Sequence, residues 1–219
     1  MEAFQTQTNR ISRETHAALR RERVITRQKK LNSLLCRAQI PRRYTNASLD
    51  FPAPSQLAAY RFGKHFVDSF ERRLETGAGA LIYGGIGTGK THLACAISNA
   101  LMGDMRPTLY CTALEAIQAV KASWRRDSAT TELDVYAAFS VPQLLILYEI
   151  GVQFGTDTER LILTGIADIR SRNCLPTIGI SNLGPEYVCE LLGERTFDRL
   201  IGYGAEMVPM HGTSLRIMR

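Results

Sequence analysis

Nothing in this chain is apolar for long. The strongest hydrophobic run, Leu144-Leu145-Ile146-Leu147, falls far short of the roughly 20 residues a spanning helix requires, which excludes a helical membrane protein. The N-terminus lacks a hydrophobic signal segment, so the cytoplasm is the expected location. Cysteine is scarce and poorly placed for crosslinking: Cys36, Cys95, Cys111, Cys174 and Cys189 are odd in number, scattered, and never spaced C-x-x-C. That pattern argues against a disulfide framework and a zinc site, and predicts reduced, mostly buried thiols. There is no internal repeat or low-complexity tract, which leaves no basis for a solenoid. Acidic residues are sparse at the front: residues 1–50 hold four Asp/Glu against eleven Lys/Arg, and the remainder seventeen against sixteen. The net charge of +6 therefore originates ahead of residue 51.

What is present suits one α/β domain with an appendage: 219 residues, 45% hydrophobic and 22% charged, enough to enclose a sizeable core. Residues 1–40 read as a basic helical partner-binding segment. Arg10, Arg13, Arg20, Arg21, Arg23, Arg27, Lys29 and Lys30 surround Ile11, Ala18 and Ile25 at seven-residue spacing, followed by Leu31, Leu34, Leu35 and Ala38. A thin apolar stripe on a basic helix suits a partner protein or nucleic acid better than a core, a solvated tail being the alternative. Ile40-Pro41 should end that helix, because proline restrains the residue before it and offers no N–H. A linker over residues 41–54 leads to one helical pattern with Phe62, Phe66, Phe70 and Leu74 at every fourth residue, broken at Gly77-Ala78-Gly79. Residues 41–219 are expected to form one α/β domain, whose ligand the next motif identifies.

The motif that organises this domain is Gly84-Gly85-Ile86-Gly87-Thr88-Gly89-Lys90-Thr91, which fits the phosphate-loop pattern G-x-x-x-x-G-K-[ST] at every fixed position. Ala80-Leu81-Ile82-Tyr83 before it reads as a buried strand and residues 92–101 after it as a helix. Four glycines let backbone N–H groups point at phosphate oxygens where the helix N-terminus adds positive potential. Lys90 is expected to reach the β and γ phosphates of ATP (or the β phosphate of ADP), and Thr91 Oγ1 to ligate Mg²⁺.

Beyond the loop, strands and helices alternate as in a parallel sheet with crossover helices. Strands are expected over residues 108–111, 143–148 and 176–180, and helices over 113–126, 132–139, 158–172 and from near Pro185. Residues 204–210 and 213–218 read as closing strands. A phosphate-loop ATPase closes the strand corresponding to 143–148 with Asp-Glu, the Asp holding Mg²⁺ through water and the Glu orienting the attacking water. Here the run ends Tyr148-Glu149, and a neutral phenol is a poor metal partner. The next strand ends in Ser181-Asn182, where a polar side chain would sit by the γ phosphate or else cap the following helix. Arg195 and Arg199 lie four apart; they would share a helix face, suited to a neighbouring subunit's γ phosphate or to intrachain salt bridges.

The phosphate loop with His92-Leu93-Ala94, the run Glu149-Ile150-Gly151-Val152-Gln153, and Leu191-Leu192-Gly193-Glu194-Arg195 through Asp198-Arg199 resemble the DnaC-type replicative helicase loaders of the AAA+ class over about residues 40 to 219. The related IstB-type transposition helper ATPases have a terminus similar to Gly212-Thr213-Ser214-Leu215-Arg216. The resemblance implies ATP-controlled delivery of a ring helicase to single-stranded DNA by an ATP-dependent homo-oligomer. It implies Glu149 as catalytic glutamate, Asn182 as sensor, Arg199 with Arg195 as finger, and no helical lid. It also places a DNA contact near Lys121, Arg125 and Arg126, where Trp124 could stack on a base or instead belong to the core. Tyr148 departs from the family pattern, so an adaptor that binds nucleotide without turnover stands as the alternative, beside a transposition helper.

Overall fold

A computed structural model describes residues 38–50, 53–151 and 156–215; the basic segment of residues 1–37 lies outside the described residues. Five strands form one parallel sheet in the order β2-β3-β4-β1-β5: β1 Ala80–Tyr83, β2 Thr108–Thr112, β3 Leu144–Tyr148, β4 Thr177–Ser181 and β5 Glu206–Pro209. The expected parallel α/β fold is the observed one. β1, β3 and β4 are buried without alternation because helices cover both faces of the sheet.

On one face lie α1 Leu57–Asp68, α2 Phe70–Thr76 and α3 Lys90–Gly103, packing Phe66, Leu93 and Ile97 over Ile82 and Ile146. The other face carries α4 Ala113–Ser123, α5 Glu132–Phe139, α6 Asp157–Arg172, α7 Pro185–Leu192 and α8 Glu194–Ile201, over Leu81, Leu145 and Leu147. The helix leaving β1 thus lies opposite those leaving β3 and β4. The chain parts to both sides at the carboxyl ends of neighbouring strands, which is where doubly wound sheets form their binding crevice.

Several expectations needed correction. The phenylalanine pattern spans two helices, because the chain breaks at Ser69, whose Oγ donates to His65 O at 2.6 Å. Phe62, Phe66 and Phe70 still contact in sequence at 5.7 and 6.2 Å, so the four-residue period reports the shared core face and not helix continuity. α4 stops at Ser123, not at Arg126, since the polar run Arg125-Arg126-Asp127-Ser128 offers nothing to bury. The segment expected as a linker contributes to the core: Ala47 and Leu49 are buried, and Asn99 Nδ2 donates to Tyr44 O, Thr45 O and Ala47 O at 2.9–3.2 Å. Of the strand expected over 213–218, residues 213–215 are not strand, Leu215 N donating to Gly87 O at 2.9 Å, and residues 216–218 lie outside the described residues.

The amino ends of β3 and β4 are closed by one side chain. Arg170 on α6 is fully buried and donates to Thr177 Oγ1 (2.9 Å), Phe139 O (2.7 Å), Pro142 O (3.0 Å), Gln143 O (3.3 Å) and Pro176 O (2.7 Å). Burial lowers its pKa to about 9, which leaves the guanidinium charged at neutral pH. Of the four described cysteines, Cys95 and Cys111 are buried free thiols pushed up to about 12 by desolvation, while Cys174 and Cys189 are half-buried.

Candidate nucleotide site

β1 ends at Tyr83, the glycine loop turns over residues 84–89, and α3 begins at Lys90. Two glycines are there for space. A Cβ on Gly84 would stand 2.2 Å from Met210 O, and one on Gly87 2.1 Å from Ser214 Oγ, and both residues have positive φ. α3 has Gly89 as its N-cap with no side-chain hydrogen bond to its first turn, so its leading N–H groups have no side-chain cap to compete with an anion. Lys90 is 6% exposed, and its Nζ donates to Gly84 O at 2.7 Å and Gly85 O at 2.6 Å. Its ammonium is therefore held inside the loop. Thr88 Oγ1 donates to Gly85 O at 2.9 Å.

Beside the loop stand the ends of β3 and β4. Tyr148 is half-buried, and burial together with the Glu149 carboxylate pushes its phenol above the usual tyrosine value, against a hydrogen bond with the Thr91 side chain that lowers it. It is neutral at physiological pH and unsuited to ligating Mg²⁺. Glu149 sits at φ 60, a left-handed conformation that costs a non-glycine residue about 1–2 kcal/mol. That strain turns the chain off the strand. Ile150 N donates to Ile180 O at 3.0 Å, and Ser181 Oγ donates to Ile150 O at 2.6 Å while accepting from Leu183 N at 3.0 Å. Ser181 thus ties the β3 and β4 turns together and caps no helix, since α7 starts after Gly184. Asn182, one residue on, is exposed.

Arg199 is half-buried on α8 and ion-paired with Asp168 of α6, whereas Arg195 is exposed with no hydrogen bond or ion pair among the described residues. The salt-bridge reading therefore holds for Arg199 alone. Lys121 pairs with Glu159 at 2.9 Å. Trp124 is 48% exposed and donates from Nε1 to Glu132 at 2.9 Å, so it is not a core residue. Arg125 and Arg126 follow it, exposed, in the turn after α4.

Two parts of the site escaped sequence reasoning. One is an aromatic cluster at the start of α3. Tyr60 OH meets His92 Nδ1 at 2.7 Å, Tyr44 stands edge-on to the same ring at 6.4 Å, and Tyr110 stacks on Tyr148 at 5.9 Å. Burial pushes Tyr60 up to about 12. The only signal in the sequence was His92 following Thr91. The other is the segment 211–215, which lies along the loop through Ser214 and Leu215 and is anchored by Gln56 Nε2 donating to His211 O at 2.8 Å. Its sequence gave a motif but no position.

These residues fit a polyphosphate: a glycine cradle, an uncapped helix start and one buried ammonium converge. They fit Mg²⁺ less well, because the Tyr148 phenol, hydrogen-bonded with Thr91 and Glu149, stands where a second carboxylate is expected.

Comparison with known proteins gives consistent results. The model of the IstB-like ATP binding protein family matches residues 2–219. The replicative helicase loader DnaC of Escherichia coli K12 is 33% identical over 187 residues, covering 84% of this chain and 74% of that protein. DnaC of Buchnera aphidicola subsp. Acyrthosiphon pisum is 31% identical over 174 residues, covering 78% and 70%. Among solved structures, the DnaC helicase loader superposes with a TM-score of 0.66 at 23% identity, covering 78% of this chain and 100% of that one. AMPPCP-bound DnaA from Aquifex aeolicus gives 0.64 at 19%, covering 81% and 53%. These superpositions identify the sheet and its two helical layers as the AAA+ fold.

Proposed function

The chain belongs to the IstB-like ATP-binding family, and from that premise we propose that it is a helicase loader, which binds Mg-ATP and delivers a ring helicase to single-stranded DNA in the cytoplasm. The observation that carries this reading is the 33% identity to DnaC over 187 residues, joined to a phosphate loop whose helix start is open. Residues 41–219 act as the nucleotide-binding unit and residues 1–40 as the partner-binding segment. Gly84, Gly85, Gly87, Thr88 and Gly89 shape the loop, and Lys90 would contact the β and γ phosphates of ATP. Thr91 Oγ1 would ligate Mg²⁺, which when bound offsets phosphate charge. Glu149 holds the attacking water, Asn182 senses the γ phosphate, and Arg195 with Arg199 faces the nucleotide of the next subunit in an ATP-dependent homo-oligomer. Arg195 is the readier of the two, since Arg199 must first leave Asp168. Lys121, Arg125 and Arg126 contact DNA. No described helix is long and apolar enough to cross a membrane.

The test is loading itself. Purified ring helicase should appear on a closed single-stranded DNA circle only when this protein and ATP are present, and Lys90→Ala should weaken nucleotide binding at least about tenfold and abolish loading. Helicase that loads equally well without the protein, or a Lys90→Ala protein that binds ATP unchanged, sinks the reading. A second reading, an adaptor that binds ATP without turning it over, is favoured by Tyr148 alone. A third, a transposition helper, rests on the similarity of Gly212-Thr213-Ser214-Leu215-Arg216 to the IstB-type helpers, and capture on residues 1–40 of a transposase in place of a helicase would select it.

A further inference from the structure

On the outer side of the sheet, α7 and α8 meet at Gly193, whose φ of 83 breaks the helical path. Between them opens a groove of about 600 Å³. Half-buried Pro185, Cys189 and Phe197 give it apolar surface, and exposed Glu186, Glu190 and Glu194 give it charge. None of the three carboxylates has a hydrogen bond or ion pair among the described residues. Glu186 and Glu190 are one turn apart on a single helix, an arrangement that repels and that a cationic neighbour relieves. No part of the nucleotide site uses this groove.

We propose that the groove seats the chain's own basic N-terminal segment, residues 10–37. The match is chemical on both counts. The segment carries nine Lys/Arg against two Glu, and its stripe of Ile11, Ala18 and Ile25 offers aliphatic side chains to an apolar floor flanked by carboxylates. It can also reach. The segment adjoins Ala38, whose carbonyl accepts from Tyr110 N on β2 at 2.8 Å, and β4, which leads into α7, lies two strands away, about 10 Å across the sheet. The 28 residues of this segment would span on the order of 40 Å even if wound as a helix. Docked there, the segment is withheld from other partners until one competes for it. The inference stands whether or not the chain loads a helicase.

Disulfide trapping in the full chain tests this directly. Ile25→Cys, with Cys36→Ser to remove the neighbouring thiol, places one sulfur on the stripe, and native Cys189 supplies the other in the groove. Under mild oxidation at low protein concentration, peptide mapping should find an intrachain link between positions 25 and 189, well above any link to Cys174. Adding Glu186→Lys and Glu190→Lys, both on the surface, should lower its yield about fivefold at low salt, and raising the salt should do the same to the parent. A yield indifferent to charge reversal and salt overturns the proposal, as does equal linkage to Cys174. A link that forms only between two chains overturns the assignment to the chain's own segment.

Discussion

The two ends of the same sheet follow opposite rules. At the amino ends of β3 and β4, Arg170 fills its donors with four carbonyls and one hydroxyl in a site closed to solvent. At the carboxyl ends the backbone takes positive φ at Gly84, Gly87, Gly89 and Glu149, and the first turn of α3 has no side-chain cap. One end is tied together by a single buried side chain; the other holds strained backbone and donors able to take a ligand. Stability and binding are thereby expected to sit at opposite poles of shared strands, so that altering one pole costs the other little.

The largest effect is expected at the closed pole. Arg170→Ala removes five hydrogen bonds made by a buried side chain, four of them to backbone carbonyls, and leaves a cavity, so unfolding free energy should fall by about 3–5 kcal/mol. Denaturant midpoints with unchanged slope would measure it. Nucleotide affinity of the folded fraction should stay put; a matching loss of affinity would break the separation of the two poles.

A smaller effect, on rate and not on stability, belongs to Tyr148. Replacing it with Asp restores a carboxylate beside Thr91 and Glu149, and ATP hydrolysis should rise about tenfold with Mg²⁺ saturating. Phosphate release is the readout. Brisk turnover in the parent that falls in Tyr148→Asp would mean that the phenol is a working part of the open pole.

The smallest effect lies off both poles, at the end of α4. Lys121→Ala with Arg125→Ala should weaken single-stranded DNA binding modestly. Because Lys121 is already paired with Glu159, the slope of log affinity against log salt should flatten by about 0.7, as for one phosphate contact, and not by about 1.4. Anisotropy of a labelled oligonucleotide at several salt concentrations separates the two values, and an unchanged slope moves the DNA contact to residues 1–37.

Local order along the chain was legible because its causes are local. The run Ala80 to Tyr83, then the glycines, then Lys90-Thr91 fold as strand, loop and helix, since apolar periodicity, glycine freedom and helix propensity all act within a few residues. The capping boxes Thr112–Glu115 and Thr131–Asp134 mark their helices in the same way. The break at Ser69 was hidden because both helices present phenylalanines to one core, and the early stop of α4 because Trp124, Arg125 and Arg126 extend the helix in pattern without being buried.

By itself, the sequence determined the parallel α/β class, the phosphate loop, the misplaced phenol at Tyr148 and the charge of the first fifty residues. Only the tertiary structure decided which groups those residues meet. It placed Arg199 against Asp168 and left Arg195 exposed, laid Ser214 and Leu215 along Gly87, gathered Tyr44 and Tyr60 around His92, and closed the sheet's amino end with Arg170. Each of these contacts joins residues at least 31 positions apart, apart from those Arg170 makes across the base of β3 and β4. No local preference specifies such partners; the sheet order and the packing of its two helical layers bring them together.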